Sequence, residues 1–471
     1  MKQLLRTLPR RCLAIVLLLA ACFTTARAAD SAASLPELLD LFGMNQEFFG
    51  SFVDGRPLSE DERQKVYKLL FRLRDLPPAD VQSWAQGESA FRNLSARPET
   101  ERGKLFHLEG TATQVTPVEL DDEQQARYQL QSLFRCDFTA ADGTKVEVLA
   151  RAVPNAWKRN EPIDEPANFR GMFVKRLAAD EPNRAGPLLF VTMRVAWQPP
   201  TLLGKLGMDV GLLDDVRDQR AIGSDERECF YQMLSAVERS KSGELDRAAD
   251  AQLAQRRQEQ SLGLGKLAGN PQQQAGVRRE QKKAAQNVDD VVPLFNDAEA
   301  QRGKLFVLEG DARRAIEIKV EDPDIVRRFG IHNYYEIELF TDDSQNNPIV
   351  FCVASLPPGM PQGEDIHERV RIAGFFLKTW AYPIRHTSDG LGADGQPLVR
   401  QQLAPLLMGR QSQWFPKDNA RDALSPIVLA VLLGALVLTI AWLWRQRRGD
   451  KKFYRETLGK HEASPDFSKL E

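Results

Sequence analysis

Two stretches of the chain are continuously apolar, and between them the hydrophobic positions recur first at helical and then at strand spacing. The N-terminal stretch, Leu13-Ala14-Ile15-Val16-Leu17-Leu18-Leu19-Ala20-Ala21, follows Lys2, Arg6, Arg10 and Arg11 and precedes Ala26-Arg27-Ala28. A basic start, an apolar run too short to span a bilayer and a small-x-small triplet form an export signal cleaved after Ala28. Leu19-Ala20-Ala21-Cys22 supports a competing reading, a bacterial lipobox with Cys22 lipidated. The C-terminal stretch, residues 423–444, carries no charge from Ile427 to Trp444. About 20 apolar residues cross the roughly 30 Å hydrocarbon core of a bilayer. Pro426 stands near the start of this predicted helix, where its missing N–H costs little. Arg445, Arg447, Arg448, Lys451 and Lys452 follow Trp442 and Trp444. Positive charge is retained in the cytoplasm, so the tail 445–471 is expected inside and the bulk of the chain outside.

Ser59-Glu60-Asp61-Glu62 reads as a capping box, and Val66, Leu69, Leu70 and Leu73 then lie on one helical face. Phe230, Met233, Leu234 and Val237 repeat that stripe. Both are expected to pack into a core, with the acids beside Arg63 and Arg227 forming solvated capping turns. Strand-like runs follow near 104–117, 128–139, 145–153, 168–177 and 187–197, with a hairpin turn at Asp142-Gly143. Gly110 and Gly171 fall within strand-like runs, where glycine permits a bulge or sharp coiling. Five short, bent strands in about a hundred residues suggest a small barrel. The pattern resembles an OB-fold whose usual helix between the third and fourth strands is reduced to a loop; a β-sandwich is the alternative.

The runs come in two copies. Arg102-Gly103-Lys104-Leu105-Phe106-His107-Leu108-Glu109-Gly110 reappears as Arg302-Gly303-Lys304-Leu305-Phe306-Val307-Leu308-Glu309-Gly310, and Gly171-Met172-Phe173-Val174-Lys175 as Gly374-Phe375-Phe376-Leu377-Lys378. Val153-Pro154 matches Leu356-Pro357, Pro187-Leu188-Leu189 matches Pro405-Leu406-Leu407, and Trp197 falls near Trp414. Upstream, Asp61-Glu62-Arg63 with Tyr67 and Leu70 corresponds to Asp225-Glu226-Arg227 with Tyr231 and Leu234. The offset is 164 residues from Asp61 to Asp225 and 200 from Arg102 to Arg302, so the second copy has gained 36 residues between its two parts. An α+β chain of two tandem modules plus one transmembrane helix is predicted. Its parts are a signal peptide 1–28, a helical segment 29–100 and barrel 101–200, a second helical segment 201–251, an insertion 252–287, a second barrel 288–418, the membrane helix 423–444 and the tail 445–471.

Composition changes this picture only locally. Residues 252–287 contain no aromatic and carry seven Lys/Arg against Glu259 and Glu280, too little apolar surface to offset ordering entropy. They are expected to be a disordered, basic, Gln-rich insertion with a helical start, suited to an anionic polymer or lipid surface. The formal net charge of −2 gives no argument for nucleic-acid binding. Removal of the signal leaves Cys136, Cys229 and Cys352, an odd set that speaks against a disulfide framework and for buried thiols.

Candidate chemistry is sparse. Gly-x-Ser-x-Gly and His-Glu-x-x-His are absent, and His367-Glu368 lacks a second histidine. The five histidines, His107, His332, His367, His386 and His461, show no ligand spacing, and His107 is replaced by Val307 in the other copy. Gly263-Leu264-Gly265-Lys266-Leu267-Ala268-Gly269 lacks phosphate-loop spacing, and Asp389–Gly395 lacks that of a calcium loop. Asn93-Leu94-Ser95 is formally a glycosylation sequon. Lys175 and Lys378 are expected either to face solvent from alternating strands or to hold an anionic ligand. Arg102, Lys104, Arg302 and Lys304 are expected to be strand-edge charges. No catalytic, cofactor-binding or metal residue is assigned, and no enzyme is expected. The function expected is a membrane-anchored extracytoplasmic binding or scaffolding protein of the cell envelope, with the lipid bilayer and an envelope protein or polymer as partners and no nucleic acid. A transmembrane signalling component, and an enzyme with a site invisible as a motif, are the alternatives.

Overall fold

The computed structural model describes residues 34–94, 97–179, 185–263, 286–384, 400–416 and 430–445. The signal segment, the loop Asp389–Gly395, the tail and residues 264–285 of the insertion lie outside them. The first helical layer comprises α1 (Leu35–Leu41), α2 (Gln46–Gly50), α3 (Glu60–Leu73) and α4 (Pro78–Trp84). The predicted capping box starts α3: the Ser59 hydroxyl accepts from the Glu62 N–H, and Glu62 accepts from the Ser59 N–H at 2.9 Å. The stripe Val66, Leu69, Leu70 and Leu73 is buried, as expected.

The strands that follow are β1 (Leu105–Pro117), β2 (Phe134–Ala140), β3 (Lys145–Ala152), β4 (Pro162–Arg176), β5 (Leu188–Arg194) and the short β6 (Ala196–Trp197). β1 pairs with both β2 and β4, and the order β1-β2-β3-β5-β4 closes on itself, with β3 and β5 parallel. The closure leaves no pair of facing sheets, so the sandwich alternative is set aside. Phe106, Phe138, Phe169, Phe173 and Phe190 fill the interior, several meeting edge to face. A second core lies outside the barrel, where the α3 stripe packs on Leu105, Met172, Val174 and Leu189. One sequence expectation is corrected here. The second strand does not begin at Tyr128, because α5 (Asp122–Tyr128) occupies its start. Asp121 and Gln124 form a reciprocal cap there, and that local hydrogen bonding outweighs the strand propensity of the following residues.

The second half contains α6 (Arg227–Arg239), α7 (Glu244–Gly263), β7 (Leu305–Lys319), α8 (Pro323–Phe329), β8 (Asn333–Phe340), β9 (Ile349–Ser355), β10 (Glu368–Ile384), β11 (Arg400–Gln411) and β12 (Gln413–Phe415). Its pairing order is β11-β9-β8-β7-β10, again with a β10–β11 pairing and a parallel β9–β11 pair. Fine register refines the sequence match. Lys175 stands opposite Leu189 and Lys378 opposite Leu406, so Leu189, not Leu188, is the counterpart of Leu406. Trp197 and Trp414 then correspond, and each indole N–H donates at 2.7 Å to a carboxylate, Glu165 or Glu368. The helical start expected of the insertion is the C-terminal part of α7.

Glycine is required at two repeated places. Gly103 and Gly303 adopt φ of 78° and 76°, and their N–H groups donate to the carbonyls of Phe173 and Phe376. That left-handed turn is the physical content of the repeated Arg-Gly-Lys. At Gly110 and Gly310 a Cβ would lie 2.1 Å from the carbonyl oxygen of Thr139 and 2.2 Å from that of Phe340.

At the C-terminus, residues 430–445 form helix α9, and all of them are exposed. No helix among the described residues is long and apolar enough to cross a membrane. The expected span 423–444 is described only from residue 430 onward.

Candidate functional site

The lysines singled out in the sequence are not where alternation puts them. Between Phe173 and Lys175, and again between Phe376 and Lys378, the register with the neighbouring strand slips by one residue. The slip aims both lysines at the helical layer, and neither is exposed at all. Lys175 donates to both carboxylate oxygens of Glu62 at 3.0 Å. Lys378 donates to both oxygens of Glu226 at 2.7 Å. Each glutamate also receives backbone N–H groups: Glu62 from Val53 and Ser59, Glu226 from Arg217 and Gly223. Both glutamates stand at a helix start, where the dipole favours negative charge. The expectations of a solvent-facing or anion-binding lysine and of a merely solvated acidic turn are therefore corrected.

A second pair runs beside each first one. Arg102 meets Asp54 at 2.6 Å and Arg302 meets Asp218 at 2.5 Å, while the N–H groups of Arg176 and Thr379 donate to the same two aspartates. These arginines are nearly buried, so the reading as strand-edge charges is corrected for them. Lys104 and Lys304 do lie at the surface, near Glu101 and Gln301. Every charge in these quartets is answered inside the protein, and the quartets fasten helices to barrels.

Other candidates separate from one another. His107 is half-buried on β1, opposite Arg170 of β4, and burial together with Arg170 holds its pKa below the usual value. His367 is exposed, with Asp365 nearby. Among the described residues no group of three His, Cys, Asp or Glu side chains could hold a metal ion. Asn93 belongs to a helix, Glu88–Leu94, whose last residue is buried; Ser95 lies outside the described residues. Cys136, Cys229 and Cys352 are unpaired and buried. Burial pushes the Cys136 thiol up to about 12 and raises the other two as well. Since the thiolate is the nucleophile, all three should stay unmodified by a maleimide at neutral pH and react only after unfolding. Mass spectrometry before and after guanidinium checks this.

Two concavities among the described residues bear on a binding site. One, of about 600 Å³, lies in the second module among Leu202, Leu213, Arg256, Lys304 and Phe306. The other, of about 400 Å³, lies where the modules meet, walled by α4 and β4–β5 on one side and by α6 and α8 on the other. The modules touch here through the Ala79 N–H, which donates to Asp324, and through Arg327 on Asp80. Arg328 holds Glu228 with two hydrogen bonds of 2.8 and 2.7 Å, and Arg194 is paired with Asp215.

Asp209, on the rim of this cleft, is buried and accepts the N–H groups of Trp197 and Gly211. Burial dominates its electrostatics and pushes its carboxyl up to about 6. A raised acid pKa means that the folded state holds its proton more tightly. Stability contributed by this group is therefore greatest below about pH 4 and falls as pH rises towards 6. Asp209→Asn keeps an acceptor and removes the charge. Its stability relative to the parent should rise across pH 4–6 by roughly 1–3 kcal/mol, measured by urea denaturation at each pH. A flat difference would contradict the assignment.

The sequence carried no motif for the cleft, because its walls come from segments far apart in the chain. The chain matches no protein-family model and no curated protein sequence.

Proposed function

We propose that this chain is a membrane-anchored extracytoplasmic binding or scaffolding protein, built from two copies of a helix-plus-OB-like-barrel module. The observation that carries the anchor is α9. Val431, Val437, Leu438 and Trp444 are each more than 60% exposed on a helix that presents apolar residues all round. A helix apolar on every side suits a lipid surrounding, where its backbone bonds are satisfied internally. The arginines and lysines from Arg445 onward support a cytoplasmic tail. The matching order of strands, the paired glycines and the recurring ion-pair quartets support duplication of one unit. Charges spent on internal pairs support a role in presenting surfaces rather than in chemistry. The partners of those surfaces are the lipid bilayer through α9 and an envelope protein or polymer through the modules.

Fractionation tests the anchor. Full-length protein should remain with membranes after alkaline carbonate extraction, and a chain ending at residue 422 should be released. Release of the full-length chain by carbonate would overturn the proposal.

A further inference from the structure

The two modules differ at a facing pair of strand positions, His107 with Arg170 in the first and Val307 with Ala373 in the second. Arg170 stands five residues before Lys175, and Ala373 five before Lys378. Ala373 is buried in the core that includes Leu245, Ala249 and Leu253 of the long helix α7. In the first module the much shorter α4 stands near the equivalent face, and the 400 Å³ cleft opens beside it. Arg170 projects into that opening. Arg170 is exposed to solvent there, its guanidinium makes no hydrogen bond or ion pair among the described residues, and it feels the charges of Arg328 and Glu228. Glu228 is held by both nitrogens of the Arg328 fork and by Gln232, and Arg328 is paired with Asp324 as well. Of the other arginines that line the cleft, Arg194 is answered by Asp215 and Asp209 and Arg74 by Asp75. Arg170 is thus the cleft guanidinium without a direct partner among the described residues, and its fork of N–H donors faces the opening. Leu76, Val81, Leu105, Met193 and Leu212 give the wall an apolar strip, beside the polar Gln82, Asn168, Thr192 and Gln232 and the Asp209 carboxyl.

We infer that the cleft between the modules binds a small organic anion, its carboxylate or similar group on Arg170 and its apolar body along the apolar strip. A guanidinium offers two parallel N–H donors to a carboxylate, and a cavity of this size holds a ligand of one or two rings. The inference rests on the reading of the chain as a binding protein, not on its membrane placement.

The test uses full-length protein in nanodiscs of zwitterionic lipid, with empty nanodiscs as blank. Naphthalene-2-carboxylate is the probe and naphthalene-2-carboxamide its uncharged match, both titrated calorimetrically. The expected result is saturable one-to-one binding of the carboxylate, at least tenfold weaker for the carboxamide and for Arg170→Gln. Arg135→Gln, a surface arginine on β2, should bind like the parent. Absence of saturable binding above the blank overturns the inference, as does equal affinity in Arg170→Gln with an unchanged melting temperature. Either failure leaves the carbonate fractionation, and so the proposed anchor, untouched.

Discussion

Glu226→Ala is expected to destabilise the second module by about 3–5 kcal/mol, because it strands the Lys378 ammonium, which has no exposure, inside the protein. Glu62→Ala should do the same to the first module through Lys175. The two effects should stay separate: a urea titration should move the transition of the mutated module and leave the other in place. Removing both charges at once, as in Glu62→Leu with Lys175→Met, should recover most of the loss, since the desolvation cost of the pair disappears with the pair. Burial pushes the Glu62 carboxyl up, but the N–H groups of Val53 and Ser59 and the Lys175 ammonium more than reverse this and hold it below 4.5. A lowered acid pKa gives stability that is present above that pH and lost as pH falls through the lowered value. A double variant no more stable than Glu62→Ala would show that the pair is not what the single change breaks.

Gly110→Val should prevent closure of the first barrel, with a loss of at least about 3 kcal/mol. Here the pairing of β1 with β2 begins while that with β4 continues, Gly110 facing Ala140 on one side and Ala167 on the other. A side chain would drive into the Thr139 carbonyl, a backbone atom that cannot swing away. Gly143→Val, in the open hairpin where nothing lies within 4 Å, is the informative control, since it meets left-handed strain but no clash, whereas Gly110 has the clash without that strain. Thermal unfolding followed by circular dichroism separates the two: a large drop for Gly110→Val and a smaller one for Gly143→Val.

Period and repetition made much of this architecture legible. The α3 stripe, the hairpin at Asp142-Gly143 and all five strands of the first barrel follow from spacing, and the duplicated Arg-Gly-Lys marks the same left-handed turn twice. What period could not reveal were features that break it. The slip before Lys175 and Lys378 sends a residue read as polar-out into a buried layer, and the Asp121 cap puts a helix where strand propensity pointed to β2. A signal for the ion pairs did exist. Asp-Glu-Arg and the strand lysine recur together in both copies, and a repeated acid with a repeated base is a contact to look for. The cleft carried no such signal, because Arg170 is singular and its counterpart is an alanine.

Orientation across the membrane is the claim on which the functional reading turns, and the buried thiols make it measurable. Because Cys136, Cys229 and Cys352 are shielded, a cysteine placed in the exposed hairpin, Asp142→Cys, or in the tail, Lys451→Cys, reports alone once Cys12 and Cys22 are replaced by serine. The account predicts that a membrane-impermeant maleimide labels Asp142→Cys on intact cells (spheroplasts where an outer barrier intervenes), and Lys451→Cys only after permeabilisation. Labelling of Lys451→Cys in intact cells, or protection of Asp142→Cys until they are opened, would contradict it.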